Sequence, residues 1–92
     1  MDLRAENESD WQRLDSVWKE AKLIRKHSTT LHGHRTSISL EDAFWEELRA
    51  IAEKRKMSFA ALLAEIDDGR DEGSNLSSSL RVYVLTWLKT QK

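Results

Sequence analysis

The sequence predicts a mainly α-helical fold that carries one β-strand, and three observations predict it. Thr36, Ile38 and Leu40 alternate with Arg35, Ser37 and Ser39, the period of a half-buried strand. The segment from Glu41 to Lys56 sets Phe44, Leu48, Ile51 and Ala52 on one helical stripe, with Trp45 flanking it. Strand and helix meet with no proline, glycine or loop between them, and the chain contains no second run that is credible as a strand.

Before that strand, SDWQRLDSVWKEAKLIRKH places Trp11, Leu14, Trp18 and Ala21 at helical spacing, widened by Val17 and Ile24. Ser9 and Gln12 have the spacing of a capping box, so a helix is expected over about residues 10 to 25. Its two tryptophans call for a cover, from the same domain or from a partner chain. The stretch HSTTLHGHRTSISL follows. A short extended piece over Ser28 to Leu31 is compatible with it, with Gly33 marking a bulge or bend.

In the helix from Glu41, acids stand in the first turn and Lys54, Arg55 and Lys56 in the last, matching the helix dipole at both ends. Ser58 is placed to cap a short helix, FAALLAEID, apolar on nearly every side and therefore buried. DDGRDEGSN reads as a polar loop. The last segment, LSSSLRVYVLTWLK, admits a helix capped by Ser74 or Asn75, or a strand over RVYVLTWL. The helix is preferred, because the apolar residues do not alternate.

Composition sets the outer limits. With 92 residues the chain makes one small domain, marginal alone and suited to further burial against a partner. The organisation expected is an acidic segment and amphipathic helix over residues 1–27 and a second unit over residues 28–92. The absence of cysteine excludes disulfides, thiolate nucleophiles and cysteine-based zinc sites. No apolar run approaches the ~20 residues that cross a membrane, and the start MDLRAENESD lacks signal-peptide chemistry, so a soluble cytoplasmic protein is expected.

The net charge of −1 conceals an uneven distribution. Residues 2 to 20 hold six acids, whereas Ala21 to Leu40 hold none but include Lys22, Arg25, Lys26, Arg35 and three histidines. Such a basic window suits an anion-binding surface, or is a solvated face with no partner. A second constraint comes from counting elements. A lone strand cannot satisfy its backbone groups inside its own chain, so two copies are expected to pair their strands across a two-fold axis.

The run GHRTSISLEDAFWEELRAIAEKRKMSFAALLAEID, with the trailing NLSSSLRVYVLTWLK, resembles the ribbon-helix-helix family, and in particular its small bacterial members. The resemblance covers about residues 26 to 90. It implies a homodimer whose two strands, one from each copy, form an antiparallel ribbon that enters the DNA major groove, with extra N- and C-terminal helices here. It implies that Arg35, Ser37 and Ser39 face the bases, Arg gripping guanine and the serine hydroxyls discriminating less sharply. It also implies a phosphate at the start of the second helix, at Ser58 and Phe59, with Lys56 and Arg55 adding charge. Lys56 stands where the family's turn commonly has glycine.

The function expected is therefore a homodimeric DNA-binding transcriptional regulator. The alternative is a protein-interaction or antitoxin-like module that uses the same dimer as a scaffold and binds through its N-terminal helix. An enzyme is not expected. Ser77, Ser78 and Ser79 lack a nucleophile elbow, and the adjacent acids Glu41/Asp42 and Asp67/Asp68 sit at helix ends, suited to dipole and capping roles. No cofactor is expected and no metal site, because no cysteine or aligned carboxylate completes His27, His32 and His34.

Overall fold

The structure, a computed structural model, describes residues 8–91, with side chains from residue 13 onward. The capping box at Ser9 and Gln12 and the side chain of Trp11 lie outside the described residues. In chain order the elements are α1 (Glu8–Ala21), β1 (Ile24–Leu31), β2 (His34–Glu41), α2 (Asp42–Lys54), α3 (Phe59–Gly69) and α4 (Leu76–Thr90).

The chain has two strands where a single one is expected from the sequence. β1 and β2 form an antiparallel hairpin within one chain, in a register running from Ile24↔Glu41 to Leu31↔His34. The turn is His32–Gly33, both with positive φ (52° and 81°). Two such residues define the tight turn whose twist matches a hairpin, and histidine is among the residues that tolerate this region. β2 thus has one ladder partner in its own chain.

β1 escapes hydrophobic patterning for a physical reason. Its inward positions are Arg25, His27, Thr29 and Leu31, of which only the last is aliphatic. The inner face is instead covered by the His27 ring, stacked on Trp45 with centroids 4.1 Å apart. The expected helix to about residue 25 stops at Ala21, because Leu23 joins the ladder: its carbonyl accepts the amide of Asp42 at 3.1 Å. That bond also explains the missing loop. Glu41 is the extended N-cap of α2 without a side-chain cap, and the first helical amide is satisfied by the ladder.

One core joins the elements. Ile38 and Leu40 from β2 meet Trp45, Leu48, Ile51 and Ala52 of α2, Leu62, Leu63 and Ile66 of α3, and Leu80 and Val84 of α4. Trp45, read from the sequence as flanking, is 7 % exposed and central, whereas Phe44 is only half-buried. The spacing Trp45, Leu48, Ala52 is itself helical and carries this face. α4 is a helix, as its lack of alternation indicates, and Asn75 caps it by accepting from the Ser78 amide at 3.1 Å.

The α2–α3 connection is a complete helix stop. The Lys56 amide donates to the Glu53 carbonyl and the Met57 amide to the Ala52 carbonyl, both at 3.0 Å. This double bond pattern requires a left-handed residue between them, and Lys56 supplies it at φ 57°. Ser58 then caps α3, its hydroxyl accepting from the Ala61 amide at 3.0 Å. α1 behaves differently: from Arg13 to Glu20 it is exposed throughout, and Trp18 is 57 % exposed.

Two outcomes follow from these turns. A Ser28→Cys/Ser37→Cys variant, at directly opposed positions, is expected to oxidise to a disulfide within one chain; a disulfide-linked dimer on a non-reducing gel would contradict the hairpin. Lys56→Gly is expected to raise the unfolding free energy by about 1 kcal/mol in urea titration, by relieving the left-handed lysine.

Candidate nucleic-acid interface

The hairpin has one face against the helices and one face bare. Period two sends Thr36, Ile38 and Leu40 inward, half-buried or buried, and Arg35, Ser37 and Ser39 outward, all three exposed. The same parity turns Lys26, Ser28 and Thr30 of β1 outward, and these are exposed too. The register puts Lys26 opposite Ser39, Ser28 opposite Ser37 and Thr30 opposite Arg35. Because Leu31 and His34 flank a two-residue turn, they form a hydrogen-bonded pair, so these three are the closer, non-hydrogen-bonded pairs. The face is thus two cations and four hydroxyls, with no carboxylate among them.

The edge of β2 away from β1 is partly closed. The Ser39 carbonyl points out of the hairpin and accepts the Ser77 hydroxyl of α4 at 2.7 Å. Beside it, Arg81 Nε donates to Glu41 Oε1 at 2.9 Å, and this bond lowers the Glu41 carboxyl below its usual range. The glutamate that ends the strand is therefore turned to α4 and neutralised.

The start of α3 is tied to the same hairpin through rings. Trp45 stacks on His27 of β1 and meets Phe59 edge-on at 4.8 Å, so one side chain of α2 fixes β1 relative to the first residue of α3. Arg49 lies over the Phe59 ring at 4.4 Å, an exposed cation beside the α3 N-terminus that the sequence reading does not single out. Lys56 and Ser58 are exposed there and Phe59 is half-buried. Arg55 is engaged elsewhere. Its guanidinium donates to both carboxylate oxygens of Glu65 and to the Tyr83 hydroxyl at 2.8 Å. The pairing lowers the Glu65 carboxyl and raises Arg55 further, so this arginine clamps α2, α3 and α4 and adds little net charge to the α3 start.

The three histidines separate. His27 is half-buried against Trp45, with Nε2 3.5 Å from Asp42 Oδ1, while Arg25 Nε takes the other Asp42 oxygen at 2.8 Å. His34 is exposed at the start of β2. His32, in the turn, sets Nε2 3.1 Å from both Asp67 Oδ2 and Asp68 Oδ1, so the hairpin tip is held to the end of α3. These acids are no dipole pair: they stand in the last turn of α3, where the negative helix end favours cations. Arg70, at 2.6 Å from Asp67 Oδ1, supplies that charge and is the main reason the Asp67 carboxyl is lowered. The three ligand atoms of His32, Asp67 and Asp68 lie within 4.8 Å of one another, carboxylates brought to the histidine across a sequence separation that no motif reveals.

Among the described residues, no helix is long and apolar enough to cross a membrane. The chain is similar in structure to an uncharacterized protein from Bordetella pertussis Tohama I: identity is 28 %, the TM-score is 0.71, and the match covers 90 % of this chain and 70 % of that one. No curated protein matches. The family model described as "Ribbon-helix-helix domain" matches residues 24–88, from the first residue of β1 into the last turns of α4. The chain belongs to the ribbon-helix-helix domain family.

Proposed function

We propose that the protein is a DNA-binding transcriptional regulator of bacterial type that lays the outer face of its β-ribbon in the major groove. The observation that carries this reading is the bare face itself: Arg35, Ser37 and Ser39 are exposed side by side, while the neighbouring acid, Glu41, is bonded to Arg81. Arg35 takes the role of guanine reader through O6 and N7, and the two serines donate to or accept from base edges. Lys56, Ser58 and Phe59 hold a backbone phosphate at the α3 N-terminus, with Arg49 as a further cation. The reaction-free character of the family supports a binding role over an enzymatic one.

Pairing of two copies belongs to this reading, and an apolar row on α4 supports it. Val82, Leu85 and Leu88 expose an apolar row, 62 %, 56 % and 49 % accessible, on a chain with little core of its own. A second reading has one specific observation in its favour. Leu14, Val17 and Trp18 leave the outer side of α1 apolar and uncovered, which suits a protein partner on the N-terminal helix.

In mobility-shift titrations with duplex selected from a random pool, Arg35→Ala is expected to weaken binding by about 1–3 kcal/mol, with sedimentation unchanged. The selected sequences are expected to lose their preference at the guanine that Arg35 reads. Equal affinity for the variant and the wild type would remove Arg35 from the interface. Selection of no sequence by the wild type would favour the protein-partner reading.

A further inference from the structure

We propose that His32, Asp67 and Asp68 form a binding site for a divalent transition ion of the zinc class, which ties the hairpin turn to the last turn of α3. The proposal stands apart from the DNA-binding reading and from the ribbon. His32 opens the two-residue turn, and the two aspartates come from the end of α3. His32 Nε2 lies 3.1 Å from Asp67 Oδ2 and 3.1 Å from Asp68 Oδ1, and the three atoms are all within 4.8 Å of one another. Around a zinc ion with ligands at about 2.0–2.2 Å, neighbouring ligand atoms of a tetrahedron stand roughly 3.3–3.6 Å apart. The three donors are therefore within a small side-chain rotation of that spacing, and Asp68, which is exposed, is free to make it.

Charge is the second support. Two carboxylates converge at the end of a helix whose own dipole is negative there. Arg70 compensates Asp67 alone, and among the described residues Asp68 has no cationic side chain against it other than the imidazole. A neutral imidazole has a single N–H to offer, so it cannot serve both oxygens that face Nε2. A cation bound between them meets all three atoms at once. Arg70 also does what the outer partner of a metal ligand does: Nε holds Asp67 Oδ1 at 2.6 Å and leaves Oδ2 turned toward His32.

Donor chemistry selects the ion. One imidazole nitrogen and two carboxylate oxygens suit zinc and its neighbours, whereas magnesium and calcium prefer oxygen alone. With three protein ligands, the remaining position is left to water. The other histidines lack this arrangement. His27 Nε2 faces one carboxylate, Asp42, at 3.5 Å, and the second Asp42 oxygen is taken by Arg25. Among the described residues, the His32 group is the one that gathers three donors. The sequence expectation of no metal site rests on the lack of an aligned carboxylate, and the fold supplies two from 35 and 36 residues away.

The test is calorimetric titration of the full chain, without nucleic acid, with zinc chloride and with magnesium chloride. Zinc is expected to bind at one ion per chain and to raise the unfolding temperature, and magnesium to do neither at equal concentration. Asp68→Asn and His32→Asn are each expected to weaken zinc binding by at least about tenfold. Asparagine tolerates the left-handed turn at position 32 and Asp68 is exposed, so circular dichroism should report an intact fold for both. His34→Ala is expected to keep the wild-type affinity. No heat from zinc would overturn the proposal, and so would unchanged affinity in Asp68→Asn and His32→Asn. An equal loss in His34→Ala would overturn it too, by moving the ion to the histidine pair at the start of β2, and equal binding of magnesium would remove the imidazole from the site.

Discussion

The geometry of the outer face depends on two residues, His32 and Gly33. Both hold positive φ, and a two-residue turn of that kind leaves the flanking strands one register only. Register decides everything beyond it. A slip of one residue would turn Arg35, Ser37 and Ser39 toward the helices and force Ile38 and Leu40, now 4 % and 0 % exposed, into water. Exposing those two side chains would cost roughly 1.5–3 kcal/mol each, which makes the slipped pairing untenable in so small a fold. The turn is further pinned by His32 to the end of α3, so the tip of the hairpin is not left to move alone.

A second element of order is Trp45. Its ring stands between His27 of β1 and Phe59 of α3, and it belongs to the helix that begins without a loop from β2. The hairpin and the α3 N-terminus are therefore positioned by the same side chain. The ring contacts fix the spacing between the ribbon face and the α3 N-terminus, a spacing that the proposed DNA-binding reading requires. Arg55 strengthens the arrangement from behind by joining Glu65 and Tyr83, a structural use of a cation that lies close to the interface without serving it. Arg81 does similar work at the other end of β2, removing a negative charge from the border of the face.

Much of this was legible in the residues. The alternation of Thr36, Ile38 and Leu40, the stripe of α2, the Ser58 cap and the helical spacing of α4 each carry a local signal, and each matches what the structure contains. β1 was legible only in part, as the extended piece over Ser28 to Leu31, because its inner face is filled by an imidazole ring and a threonine rather than by aliphatic side chains. Pattern reading measures hydrophobicity, and stacking on Trp45 is invisible to it. The two-residue turn of histidine and glycine was the available signal, overshadowed by the apolar Ile24 that prolongs the α1 stripe. Lys26 was missed with the first half of the strand, which reads as a continuation of α1. Arg55 and the His32–Asp67–Asp68 group were beyond reach for another reason: their partners stand 10 to 36 residues away, and only the fold brings them together. Lys56 is the reverse case, a residue that breaks the preference for glycine and still completes the helix stop.

The central claim is that the outer face of the β-ribbon, carrying Arg35, Ser37 and Ser39, is the surface that meets DNA. Backbone amide NMR during titration with a selected duplex tests it most directly. The expected result is a set of shifts concentrated at Lys26 to Thr30 and Arg35 to Ser39, with a second group at Phe59 and Ala60 and none along α1. Shifts centred on Leu14, Val17 and Trp18, with none on the ribbon, would contradict the DNA-reading face altogether.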